Sequence, residues 1–395
     1  MTVATKKLHE LADVFSGYAF KSKDLGEKGI PVVKIKNVNE KIVSKQCDQF
    51  LPDNLLTERL KKYLLQEKDI LVAMTGQGSL GRIGKMTNPQ GQYVVNQRVG
   101  IVRPKCEDDS AADYLFGVLA LDEFEQQLYS LGAGAGQPNV SAIDIGNLDI
   151  PYPSKSARDF IANARANYDN LIENNNRRIA ILEDMAQSLY REWFVNFRYP
   201  NHQDNLDADG NPKLIDSPRG QIPEGWEVKR LDDFVTLQRG FDLPKKKRNE
   251  QGSVPIYAAS GINGYHDVAK AKGAGVVTGR SGTLGVVKLV LEDYWPLNTS
   301  LWVKEFKGCT AYYAYYLLSG IGLERFNSGA SVPTLNRNDV HGNPVIAPPR
   351  DLINKFEEIA AVKHKQINVL ERKNKNLKQQ RDMLLPKLIS GTIKL

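Results

Sequence analysis

The stretch Gly76-Gln77-Gly78-Ser79-Leu80-Gly81 is a literal GxGxxG after an apolar run. That spacing suits a turn whose backbone amides cradle a dinucleotide or S-adenosylmethionine. Such a site needs a helix directly after the glycines, with its N-terminus facing the ligand. Here RIGKMTNPQGQYVV follows, with Pro89 inside, and it reads as strand and turn. The glycines therefore read as a hairpin loop carrying polar side chains. Asn205-Leu206-Asp207-Ala208-Asp209-Gly210, with Asp216 at the twelfth place, resembles the start of a calcium loop. It lacks the closing Glu and flanking helices that such loops require, and a linker fits better. His9, His202, His266, His341 and His364 are scattered and suggest no metal cluster. Glu371-Arg372-Lys373 has the ExK spacing of some nucleases but no paired upstream acid. Neither an Asn-Pro-Pro-aromatic motif nor a P-loop is present. The sequence offers no catalytic constellation, no metal site and no cofactor site.

What remains is a set of basic and amide side chains in two series. The first comprises Lys34, Lys36 and Asn37; Gln77, Ser79, Arg82 and Lys85; and Asn96, Gln97 and Arg98. The second comprises Lys245, Lys246, Lys247 and Arg248; Tyr257, Asn263 and Tyr265; Arg280, Ser281 and Thr283; and Asn298, Thr299 and Ser300. Arg, Lys, Asn and Gln can pair with base edges in the major groove, and lysine clusters neutralise phosphates. Any one of these residues could equally be solvated surface. The inference rests on the set, and its chemistry is recognition of double-stranded DNA.

The elements that must position them occur twice. LHELADVFSGYAF (Leu8 to Phe20) has the layout of LDDFVTLQRGFDL (Leu231 to Leu243), with Gly17 opposite Gly240. GIPVVK answers SVPIYA, and LVAMTGQGSLGRIGKM (71–86) answers GVVTGRSGTLGVVKLV (275–290). YVVNQRVGIV (93–102) answers YWPLNTSLWV (294–303), and GAGQPNVSAIDI answers GASVPTLNRNDV. Short runs rich in Val, Ile and Tyr, punctuated by Gly, Pro and Asn, predict a mixed α/β (α+β) unit with many short strands. The expected division is a first globular unit over 1–153, a helical region over 154–199, a polar linker over 200–221, a second globular unit over 222–349 and a second helical region over 350–395.

Each helical region carries a heptad stripe. In the first, Tyr168, Ile172, Asn175, Ile179, Leu182, Ala186, Leu189 and Trp193 recur at steps of three and four. In the second, Phe356, Ala360, Lys363, Ile367, Leu370, Asn374, Leu377, Arg381, Leu384 and Leu388 do the same. This is the narrow a/d seam of paired helices, and neither stripe is apolar enough to stand alone in water.

Composition sets the outer limits. With 395 residues, 41% of them hydrophobic and 25% charged, the chain is long enough for two or more domains of ordinary globular type. The formal charge of +7 is compatible with an anionic partner without requiring one. Cys47, Cys106 and Cys309 are odd in number and far apart, which argues against a disulfide framework. No run resembles a signal peptide or a membrane span, so a cytoplasmic protein is expected.

The whole layout resembles the specificity subunit of type I restriction–modification systems. The residues that carry the resemblance are IPEGWEVKRLDDFVTLQRG (Ile222 to Gly240), ILEDMAQSLYREWFVNF (Ile181 to Phe197) and RDMLLPKLISGTI (Arg381 to Ile393), with GxGQPNVS and its copy. That copy, GASVPTLNRND, departs from the pattern in lacking the Gln. The resemblance implies two target recognition domains, each reading one half of a bipartite asymmetric DNA site. It also implies an antiparallel coiled coil that sets the gap and docks two modification subunits. S-adenosylmethionine would belong to those subunits, and ATP and magnesium to the restriction subunits. The chain itself would bind no cofactor and catalyse nothing. An antiparallel seam with Asn175 opposite Asn374 also pairs Leu182 with Ile367, Ile179 with Leu370 and Trp193 with Phe356; buried polar pairs commonly fix such a register. Two rival readings are a free-standing DNA methyltransferase or nuclease, and a coiled-coil scaffold that binds only protein.

Overall fold

The structure is a computed structural model and describes residues 3–87, 89–105, 109–132, 138–206, 209–210 and 213–394. Two compact units divide the chain: Met1–Asn174 with Asn374–Leu395, and Asn175–Lys373. Each contains one β-rich body and half of each long helix.

In the first unit a six-stranded sheet runs in the order Ala12–Ser16, Val99–Pro104, Ile70–Ala73, Ile83–Lys85, Lys41–Val43, Val38–Asn39. Ile70–Ala73 is buried at every position, so this strand is apolar throughout rather than alternating. A second sheet places Ile30–Val33 between Phe50–Leu51 and Val94–Val95, the last pair being parallel. Thr5–Lys7 pairs with Asp149–Pro151 and hands the chain to the first long helix.

The second unit repeats the order. Val235–Arg239, Ser300–Phe306, Gly275–Gly279 and Val287–Val290 form the main sheet. Val254–Ala258 lies between Gly261–His266 and Trp295–Pro296, again with one parallel pair. Glu227–Arg230 pairs with Pro344–Ala347 before the second long helix. The duplication read from the sequence is thus a duplication of strand order.

The ladders shift one alignment by two residues. Ala73 lies opposite Val99, and Gly279 lies opposite Ser300, so Ala73 corresponds to Gly279 rather than to Val277. A slip of two leaves every side chain on the same face of the sheet, so the apolar pattern cannot detect it. The first unit's hairpin loop, 74–82, is accordingly longer than 280–286 in the second.

The described residues of 200–221 form regular elements. They include a 3₁₀ turn, His202–Asn205, and the antiparallel pair Leu214–Ser217 with Gly220–Pro223. Gly220 supplies the positive φ that this hairpin needs, and Ile222 is buried in the second unit's core.

The long helices span Lys155–Phe194 and Arg350–Ile389. Every residue expected on the seam is buried or half-buried. In the second unit the rings of Trp193 and Phe356 lie 6.3 Å apart. In the first, Arg381 Nη1 donates to Asp169 Oδ1 at 2.5 Å. Ile161 and Ala162 share that unit's core with Leu385, Leu388 and Ile389, so the two half-helices run antiparallel there. Asn374 is buried and Asn175 half-buried; the first belongs to unit one and the second to unit two.

A second buried face joins each half-helix to its β-rich body. Arg165 is 6% exposed; its guanidinium lies 4.1 Å from the Phe116 ring and donates to the Phe116 carbonyl and to Asp169. In the other unit His364 sits among Tyr312, Tyr315 and Tyr316, and shares a 2.8 Å hydrogen bond with the Tyr316 hydroxyl. Burial holds His364 down at about 4.

Two predictions follow from these contacts. A Cβ on Gly17 would lie 2.4 Å from the Asn96 carbonyl oxygen, and one on Gly240 only 2.2 Å from that of Leu297. Gly17→Ala and Gly240→Ala should each destabilise the protein by about 2 kcal/mol or more, measured by urea unfolding. His364 binds its proton more readily when unfolded, so stability contributed near neutral pH is lost as pH falls from about 6.5 to about 4. The loss should reach roughly 3 kcal/mol, and His364→Gln should abolish that part of the pH dependence.

Candidate nucleic-acid interface

In the first unit three loops meet at one end of the main sheet. The hairpin loop 74–82 follows Ile70–Ala73, and the turn 96–98 precedes Val99–Pro104. Met74 N donates to the Arg98 carbonyl at 3.0 Å, tying the two together. Gly76 N donates to the Pro138 carbonyl at 3.3 Å, and Thr75 bridges Asn139, which brings in the third. Gly76, Gly78 and Gly81 all have positive φ and curl the hairpin tightly. Strand Ile83–Lys85 follows where a dinucleotide site would need a helix. The tip presents Gln77 to solvent, while Ser79 bonds the Thr75 carbonyl. Arg82 is half-buried, with a side chain that has no hydrogen-bond partner among the described residues. Gln97 and Arg98 are exposed beside it, and Asn96 Oδ1 accepts from Arg98 N. Lys34 joins the group because Asn96 N donates to the Val33 carbonyl; its ammonium donates to Gln49.

The second unit builds the same junction. Arg280 N and Ser281 N both donate to the Thr299 carbonyl, at 2.9 and 3.1 Å. Gly282 N donates to the Pro333 carbonyl at 2.9 Å, and Ser281 bridges Thr334. Pro333 therefore stands where Pro138 does, although the sequence around it has drifted. Asn139 and Thr334 face each junction, and the recurring Pro-x-apolar pattern was the signal for them. Residues 133–137, which include the Gln of GxGQPNVS, lie outside the described residues, as do Cys106 and part of the calcium-like stretch.

The arginines are not counterparts. Arg82 O accepts from Ala73 N, the place that Val286 holds opposite Gly279. Arg280 takes the place of Met74. Its guanidinium reaches the Asn298 carbonyl at 3.4 Å. Asn298 itself donates to Asp242, and Thr283 is exposed. Thr299 Oγ1 is buried without a partner among the described residues. Ser300 is buried and donates to the Leu297 and Tyr257 carbonyls. Burial, reinforced by the carboxylates of Glu292 and Glu371, pushes the Tyr257 hydroxyl up to about 12. Tyr265 is half-buried.

Other residues of the two series have partners within their own unit or lie open to solvent. Asn37 is 3% exposed; its Oδ1 accepts from Lys34 N and its Nδ2 donates to the Gln46 carbonyl, so it braces its own turn. Lys85 lies opposite Ile70, at the other end of the ladder from the hairpin turn, and pairs with Asp113 at 2.7 Å. Lys36 is exposed and paired with Asp48, whose carboxyl it holds below the usual range. Arg248 donates to both oxygens of Asn263 at 2.7 Å and to the Leu243 carbonyl. Lys245, Lys246 and Lys247 are exposed. Among the described residues no group of His, Cys, Asp and Glu could hold a metal ion, and no helix is long and apolar enough to cross a membrane.

Two copies of one frame, each with three polar loops at a sheet end, define a recognition protein rather than an enzyme framework. The model of the type I restriction modification DNA specificity domain matches residues 2–184 and 223–380. The chain belongs to that family: it is a DNA target-specificity subunit of a type I restriction–modification system and the non-catalytic part of the complex. It is 23% identical over 351 residues to the type I restriction enzyme MjaIX specificity subunit of Methanocaldococcus jannaschii, covering 82% of this chain and 77% of the relative. To the HindI specificity subunit of Haemophilus influenzae it is 20% identical, over 84% of this chain and 88% of that one. The fold is similar to that of the type I S subunit from M. genitalium, with a TM-score of 0.59, 16% identity and coverage of 98% and 95%.

The contrast between Asn37 and Lys36 is testable by thermal unfolding. Asn37→Ala should cost about 1–3 kcal/mol, because it removes a buried amide that ties Lys34 N to the Gln46 carbonyl. Lys36→Ala, at the exposed pair, should change stability by less than about 0.5 kcal/mol.

Proposed function

We propose that each unit's body is a target recognition domain reading one half of a bipartite, asymmetric DNA site through its three-loop junction. One observation carries this reading: the same backbone bonds assemble both junctions, while the side chains at their tips differ. A constant frame with unlike tips suits recognition of two unlike short sequences. Gln77, Ser79, Arg82, Asn96, Gln97 and Arg98, with Lys34, form the first reading set. Arg280, Ser281, Thr283 and Asn298, with Tyr257, Asn263 and Tyr265, form the second, and Thr299 holds the hairpin to the turn through its carbonyl. Lys36 and Lys245 to Lys247 contact phosphate, whereas Asn37, Lys85 and Arg248 support the loops without touching DNA. The paired helices, with Asn175 and Asn374 on their seam, set the gap between half-sites and dock two modification subunits. S-adenosylmethionine acts in those subunits, and ATP and magnesium in the restriction subunits. The compartment is the cytoplasm.

Arg82→Ala and Arg280→Ala should each relax base preference in one half-site only, by about 1–3 kcal/mol at a single position. Modification-site mapping in cells carrying each variant would measure this. Equal loss of binding to every sequence would mean that these arginines touch only phosphate. Removing seven residues from both helices should change the gap and leave both half-sites unaltered. Absence of any salt-dependent DNA affinity would instead favour a protein-binding scaffold.

A further inference from the structure

The two units share a 3₁₀ turn at the same point after the close-approach glycine, and its charge differs between them. In the first unit it is Ser22–Asp24, closed by Asp24 N donating to the Lys21 carbonyl and Leu25 N to that of Ser22. In the second it is Lys245–Lys247, closed by Lys247 N donating to the Pro244 carbonyl and Arg248 N to that of Lys245. The hydrogen-bond pattern is the same. Over residues 21–24 two lysines and one aspartate leave a net charge of +1; over 244–247 three lysines give +3.

We infer that the Lys245–Lys247 turn is a phosphate anchor peculiar to the second unit, held in place by Arg248. This deepens the proposed function and rests on it. Three features support the anchor. All three lysines are exposed, with no acidic partner among the described residues. The turn is braced: Arg248 spans it from the Leu243 carbonyl to Asn263 on the neighbouring strand. It also adjoins the reading junction, since Phe241 N donates to the Pro296 carbonyl and Asn298 donates to Asp242, two residues before Pro244. A rigid tripositive turn beside the base-reading loops matches the charge of a duplex backbone. Leu25 occupies the place of Arg248 in the first unit and packs into a small apolar cluster instead. Arg248 is thus a positioning residue.

The test measures binding of the full chain, assembled with its modification subunits, to a cognate duplex and to one with the second half-site scrambled, across a salt series. Replacing Lys245, Lys246 and Lys247 together by Gln should make the slope of log affinity against log salt shallower by up to about 2.7 on both duplexes. That equals roughly a 40-fold smaller affinity change between 50 and 200 mM salt. Ser22→Lys with Asp24→Lys should steepen the slope, which keeps the inference testable should the triple variant misfold. Arg248→Lys keeps the charge but loses the fork; a shallower slope with an unchanged unfolding midpoint marks it as a clasp. An unchanged slope in the triple variant overturns the inference, as does a loss seen only when the second half-site is intact. A wild-type assembly without DNA affinity removes the proposed function itself and this anchor with it.

Discussion

The structure depends on two helices that each bury two faces. A seam containing Asn175, Lys363, Asn374 and Arg381 is too polar to hold a pair of 40-residue helices by itself. The second face supplies the remainder, and the units build it from different chemistry. In the first, Arg165 is desolvated between the Phe116 ring, the Phe116 carbonyl and Asp169, and Asp169 is shared with Arg381. A buried guanidinium is costly unless its donors are met, and here acceptors surround it. In the second, Tyr190, Tyr313, Tyr316 and Phe356 form a ring cluster in which Tyr190 and Tyr316 stack at 5.4 Å. Each body is therefore fitted to its own stretch of helix. Exchanging the bodies would take the Phe116 ring and carbonyl away from Arg165.

The frames diverged much less than the surfaces they carry. Gly17 and Gly240 allow a strand end to lie directly against the carbonyls of 95–96 and 296–297, at distances that exclude any side chain. That approach presses the first segment onto the central turn in both units. The remaining bonds of the junction come from backbone amides, which place no demand on side-chain identity. Tips such as Gln77 or Thr283 can then change without cost to the frame, because none of the bonds that assemble it passes through them.

Much of this was legible in the residues. The heptads locate both long helices and start them to within one residue, because a long 3.6-residue period leaves few alternatives, although the helices stop at Phe194 and Ile389, short of the expected ends at 199 and 395. The repeat predicted the duplicated strands, and Gly17 opposite Gly240 identified an equivalent close backbone approach in each. The second buried face was hidden, since Arg165 and His364 are polar and a pattern search counts them as surface. The bracing bonds of Asn37 and Arg248 were hidden for a related reason: an amide or guanidinium that braces a turn has the same composition as one that reads a base. The hairpin at 214–223 was masked by Asp, Pro and Gly, although Ser217 and Gly220 are standard turn chemistry.

The two-residue difference between the hairpin loops bears on how recognition diverges. Because strand faces repeat every two residues, a loop can gain two without turning any core side chain outward. The longer loop 74–82 returns into its strand at Arg82, whereas 280–286 returns at Val286, and Arg280 stands at the departing end. Each junction thus carries one arginine on the hairpin, but on opposite limbs of it. The two units therefore differ in the geometry of their polar tips as well as in composition, and the constancy of the ladders is what allows it. If these arginines read bases as proposed, their forks would approach the groove from different directions.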